Sequence, residues 1–261
     1  MKSGTHFGDF FGSVVNATAI LAALHWREST GKGQFIESAQ SEGLMRALDW
    51  TWAYHELTGE RRGRYGDRDV ALAVSDVFRC KDGFVAISAP SDEEFHGLTT
   101  PMGRPDLAAD PHYMTLEARL AEENARALLA IVAEWALAYT KEQLDELGVE
   151  HGFAAAPILS ARDHFSHEHF RARRSVWQLD DPLCGDLLEY GPAPKLSETP
   201  GRIKWPARPA GFHNRYVLLS LLGLGADQVR ELEEKGAIGK WADRPGAKPP
   251  SAWEPEVAEV L

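Results

Sequence analysis

Apolar positions near the start of the chain recur at helical spacing. Phe10, Phe11, Val14, Val15, Thr18, Ile20, Leu21 and Leu24 predict a helix that follows Asp9 and runs to about Ser29. Gly12, Ser13, Ala17, Ala19, Ala22 and Ala23 keep the rest of its surface small. Such a helix is apolar almost all round and suits close packing inside a domain or a subunit interface. Gly31-Lys32-Gly33 predicts the turn that ends it, and the alternation in Gln34-Phe35-Ile36-Glu37-Ser38 predicts a short strand. Helix, glycine turn and strand in succession point to the α/β class. Leu44, Leu48 and Trp52 predict a second helix from about Ser41 to Leu57. The charged, glycine-punctuated connector from Gly59 to Arg68 then marks a domain boundary.

From Asp76 the pattern shifts to period two, with Val77-Phe78-Arg79-Cys80 and Phe84 to Ser88 forming a hairpin that turns at Lys81-Asp82-Gly83. Ser91 with Glu94, and Thr140 with Gln143, have the spacing of helix capping boxes. Leu120, Leu128, Ile131, Val132 and Trp135 predict a long amphipathic helix over about Leu116 to Tyr139. Phe153 to Leu159 reads as a strand interrupted by Pro157, and Arg162 to Arg174 as a charged helix. Strand-like pieces at Val176 to Leu179 and Leu187 to Tyr190 precede a proline-rich stretch, Gly191 to Pro209. Helices near Asn214 to Leu222 and Ala226 to Lys235 come next, followed by an extended Pro/Ala/Trp tail.

Composition narrows the function. With 261 residues and 44% hydrophobic content the chain is long enough for one large or two modest cores. A formal charge of −11 argues against a surface built to neutralise nucleic-acid phosphates. A few local arginines or a helix N-terminus can still hold a polyanion such as coenzyme A. Cys80 and Cys184 sit far apart in no metal-ligand spacing and read as free thiols of a cytoplasmic protein. The apolar runs look too short for a membrane span, so no membrane is expected. His164, His167 and His169 do not share one helical face, so no metal site is expected.

Three separated segments resemble the family III CoA-transferases. The first is Gly8-Asp9, the small-residue helix ending Ala22-Ala23-Leu24-His25-Trp26-Arg27, and Thr30-Gly31-Lys32-Gly33-Gln34. The second is Asp110-Pro111-His112-Tyr113 with Arg119 and Asn124, then Ala155-Ala156-Pro157-Ile158. The third is Gly191 to Gly201, with Gly211-Phe212-His213-Asn214 behind it. The resemblance implies a partial Rossmann-like large domain (residues 1–66), a smaller α+β domain (67–190), and a return segment with a tail (191–261), in an interlocked dimer.

It also implies that Asp9 is the nucleophile, passing through an aspartyl-CoA thioester with coenzyme A thioester as substrate and no permanently bound cofactor. An aspartate directly before an apolar helix is also a normal N-cap, and the two roles are compatible. Gly8 and His6 beside it, with Trp50 and Trp52, are candidates for the substrate pocket, and Arg62 and Arg64 for CoA phosphates. Family members carry a CoA-binding segment ahead of the Gly-Asp pair. Either a second polypeptide of the same family supplies that segment or the chain is a fragment; the expected form is a hetero-oligomer with such a partner. A racemase-like enzyme of the same fold, or a non-catalytic partner subunit, are the alternative readings.

Overall fold

Helix α1 spans Phe7–Thr30 in a computed structural model that describes residues 4–240. The expected extended tail lies outside the described residues. The helix begins earlier than predicted because Phe7 and Gly8 are already helical, and the Phe7 ring stacks on Phe11 one turn further along, 5.7 Å between centroids. Asp9 is therefore the third helical residue and not the cap. His6 flanks the helix start, and its carbonyl accepts from the Asp9 and Phe10 amides at 3.0 and 3.2 Å. The helix ends where Gly31 takes the left-handed conformation (φ 70°) and donates to the Arg27 carbonyl at 2.8 Å.

By length and composition α1 could cross a membrane, against the expectation from the sequence. Little of it is covered. Phe10 and Leu21 are 68% and 66% exposed, and Phe7, Val14, Ile20 and Trp26 are also open to solvent.

Residues 32–39 have no regular secondary structure, so the predicted strand at 34–38 is absent. A strand is held by its neighbours, and among the described residues none pairs with this segment. The single helix expected over 41–57 is two, α2 (Gln40–Arg46) and α3 (Thr51–Thr58), separated where Asp49 turns left-handed at φ 51°. The long helix expected over 116–139 likewise divides into Leu116–Leu120 and Glu122–Ala136, since Ala121 leaves helical geometry at ψ 128°.

The predicted hairpin is present as β1 (Ser75–Cys80) and β2 (Gly83–Ser88), in a three-stranded sheet of order β1-β2-β3. Next come α4 (Asp92–Thr99), whose Ser91–Glu94 capping box is formed, α5 (Pro105–Ala109), α6 (Leu116–Leu120), α7 (Glu122–Ala136), α8 (Lys141–His151) and β3 (Ala154–Pro157). The charged helix expected over 162–174 is also two. α9 (Ala161–Ser166) starts at a Ser160–Asp163 capping box, and α10 (Glu168–Ala172) is capped by the His167 ring, which accepts from the His169 amide at 3.1 Å. β4 (Val176–Asp181) and β5 (Gly185–Tyr190) pair antiparallel, Val176 opposite Tyr190. A π-helical segment, Tyr216–Leu221, and α11 (Ala226–Glu234) follow.

The chain divides into two units, each assembled from separated stretches. One comprises residues up to Phe78, Ile87–Trp135 and Gly148–Ala154; the other comprises Arg79–Ala86, Ala136–Leu147 and the chain from Ala155 onward. In the first unit, Val74, Ile87, Phe95, Leu98, Leu128 and Val132 are almost completely buried. Ala125, Leu128 and Val132 form the inward stripe of α7.

Arg119 is wholly buried in this unit. Its guanidinium donates to the carbonyls of Ala73 (3.0 Å), Tyr113 (2.9 Å) and Pro90 (2.8 Å) and to Asp92 (2.9 Å), and lies 4.6 Å from the centre of the Phe95 ring. Nearby, Asn124 donates to the His112 and Ala118 carbonyls, and Asp110 accepts from both the amide and the ring of His112. The Asp110 to Asn124 motif therefore ties loops together.

The second unit has its own buried ion pair. Arg208 binds Asp181 through two hydrogen bonds of 2.9 and 2.7 Å, and the amides of Leu183 and Cys184 also point at Asp181. The Arg208 guanidinium, helped by those amides, holds the Asp181 carboxyl down at about 2.

Candidate active site

Asp9 reaches solvent from the first turn of α1, where unpaired helix amides favour negative charge. Its Oδ1 accepts a hydrogen bond of 2.7 Å from Gln40 Nε2, and this is its one side-chain partner among the described residues. Gln40 is the first residue of α2, 31 positions along the chain, and reaches Asp9 because α2 packs on α1. The other carboxylate oxygen has no hydrogen-bond partner among the described residues.

The packing between these helices depends on absent side chains. Gly12 is the one buried residue of α1, and a Cβ there would stand 3.3 Å from Gln40 Cγ. Gly43 of α2 faces the Phe11 ring, where an added Cβ would sit at 3.4 Å, the near edge of ordinary contact. Gly8 is less constrained, since a Cβ would meet only the Leu44 side chain at an ordinary 3.5 Å. Ser13 donates back to the Asp9 carbonyl at 2.6 Å.

The remaining candidates from the sequence lie elsewhere in their contacts. His6 adjoins Asp9 through the backbone, with its side chain exposed. Trp50 is covered by the Arg62 guanidinium, 4.1 Å from the ring centre, and meets Tyr54 edge-on at 5.5 Å. Arg62 also donates to Thr51 at 3.1 Å. Trp52 donates to the Met45 carbonyl at 3.2 Å, and Arg64 is exposed. No hydrogen bond, ion pair or ring contact among the described residues joins these four to Asp9. His164 packs against Phe170, with ring centres 4.7 Å apart. Gln40 was invisible to sequence reasoning because its role depends on helix pairing and not on local spacing.

The comparisons with known proteins point to one family. The succinyl-CoA–D-citramalate CoA-transferase of Chloroflexus aurantiacus is 34% identical over 238 residues, spanning 91% of this chain and 59% of that protein. The alpha subunit of the succinyl-CoA–L-malate CoA-transferase from Chloroflexus aurantiacus is 33% identical over 232 residues, spanning 88% and 54%. A CaiB/BaiF family protein from Brucella suis has the same fold, with a TM-score of 0.67 at 26% identity over 85% of this chain and 57% of that one. The chain thus spans a little over half the length of these relatives. The model of CoA-transferase family III matches residues 1–214, which include α1, Asp9 and the Arg119 cluster; the chain belongs to CoA-transferase family III.

Proposed function

We propose that this chain contributes the nucleophilic aspartate of a CoA-transferase that moves coenzyme A between two small carboxylic acids. The observation that supports it best is the Asp9 carboxylate, exposed at the start of α1 with one oxygen held by Gln40 and the other open. In the first half-reaction that open oxygen attacks the donor thioester carbonyl, forming a mixed anhydride and releasing CoA thiolate. The thiolate attacks Asp9 Cγ, breaks the bond to the attacking oxygen, and leaves an aspartyl-CoA thioester while the donor acid departs with that oxygen. The acceptor carboxylate then reverses these steps and leaves as its own CoA thioester. The names of the relatives favour succinyl-CoA as donor and a hydroxylated dicarboxylate as acceptor.

A second polypeptide of the same family completes the site in this reading, as an interlocked hetero-oligomer that covers α1. The supports are the uncovered apolar side chains of α1 and the relative named as an alpha subunit. Because α1 lies within the family match, its apolar surface is read as a packing face and not as a membrane span.

The test uses the native complex, purified through a tag on this chain. After incubation with succinyl-CoA, mass spectrometry should find a CoA adduct on the peptide containing Asp9. Absence of the adduct, or unchanged transfer in Asp9→Ala, would sink the proposal.

A further inference from the structure

We infer that Gln40 is the positioning and oxyanion-stabilising residue for Asp9, an inference that rests on reading Asp9 as the nucleophile. An ionised carboxylate only accepts hydrogen bonds, so the amide of Gln40 must present Nε2 to Oδ1 and not its own oxygen. That contact fixes the carboxylate rotamer and leaves the second oxygen as the attacking atom. Oδ1 has a further part in the chemistry. When the thiolate adds to Cγ, the carbon becomes tetrahedral and the negative charge develops on Oδ1, the atom Gln40 already holds. The same happens when the acceptor carboxylate adds to the Cγ thioester. A donor in place before charge develops stabilises both states without having to reorganise.

A second, independent feature supports the assignment. Gly12, one turn after Gly8, is the buried residue of α1, and what it leaves room for is the Gln40 side chain, whose Cγ would lie 3.3 Å from an added Cβ. Gly43 makes the matching allowance on α2 for the Phe11 ring. Gly12 leaves the tighter room at this approach of α1 and α2, and that approach is what lets a residue 31 positions away reach the carboxylate. Glutamine is long enough to reach, carries a donor, and brings no charge to compete with the nucleophile. A lysine or arginine there would pair with Asp9 and blunt its attack.

Two variants in the native complex test this. Gln40→Met keeps the length and packing of the side chain but removes the donor; Gln40→Glu keeps the shape and replaces the donor with an anion. Both should lower kcat by about 10²-fold, with KM within threefold, and slow adduct formation on Asp9 in a single turnover by the same factor. The thermal midpoint should not move by more than about 2 °C, because Gln40 is exposed. The inference is overturned if either variant keeps kcat within tenfold of the parent, or if the loss falls on KM. It is equally overturned if both variants fail to fold, because Gln40 would then be a structural residue. Failure of the underlying reading looks different: the parent complex itself would form no CoA adduct on Asp9.

Discussion

The two polar centres of the first unit are built in opposite ways. Arg119 is enclosed, and its guanidinium is matched by three carbonyls, a carboxylate and an aromatic face. Asp9 is exposed, its side chain has one hydrogen bond, and the apolar helix around it is left largely open by the described residues. A buried charge is tolerated only when its donors are all engaged, and an engaged group has no capacity left for a substrate. A nucleophile needs the reverse. At Arg119 every guanidinium nitrogen is engaged, which marks architecture, while the open oxygen of Asp9 is what the proposed reading assigns to chemistry.

The largest effect that could break this contrast is at Asp9. Asp9→Asn should reduce transferase turnover by about 10⁴-fold while leaving the thermal midpoint within about 2 °C of the parent, as steady-state kinetics and calorimetry would register. A large stability loss in that variant would mean Asp9 is structural after all.

Arg119→Met should do the opposite. It leaves three carbonyls and the Asp92 carboxylate without their donor, so denaturant unfolding should show a loss of about 4 kcal/mol. Wild-type stability in that variant would erase the distinction between the two centres.

The Asp181–Arg208 pair extends the comparison to the second unit and gives it a pH signature. The folded Asp181 carboxyl is held at about 2, below its ordinary value near 3.8, so folding is favoured while the group is ionised. That stabilisation is complete above about pH 5 and is lost as pH falls through about 4 toward 2. It amounts to about 2 kcal/mol, and Asp181→Asn should remove it, flattening the stability of the chain over that window in urea melts. An unchanged acid limb would show that the pair contributes nothing to the pH dependence.

The smallest expected effect is at Trp50. Its ring is stacked by Arg62 and edged by Tyr54, contacts that use the residue locally. Trp50→Leu should cost about 1 kcal/mol in stability and alter KM for acyl-CoA by less than threefold. A tenfold rise in KM would instead place Trp50 in the substrate pocket.

Local chemistry was legible in the sequence, and contacts between distant residues were not. The Ser91–Glu94 box, the Lys81-Asp82 hairpin turn and the Gly31 stop are set by residues within a few positions of one another, and all three are present. The 34–38 strand failed because alternation specifies a strand only when a neighbour is there to bond it. The helices over 41–57, 116–139 and 162–174 kept their periodicity across breaks at Asp49, Ala121 and His167, where the pattern of apolar residues says nothing about ψ or handedness. Asp9 could be singled out from its motif. Its partner Gln40, and the pairing of Asp181 with Arg208 across 27 positions, emerge only when the chain has folded.

The bare flank of α1 has a thermal consequence. Covering Phe10, Val14, Ile20, Leu21 and their neighbours would transfer mostly apolar area out of water, so assembly should show a negative heat-capacity change. Association driven in this way weakens on cooling. If the proposed assembly forms through this face, it should loosen on ice and tighten again on warming to room temperature.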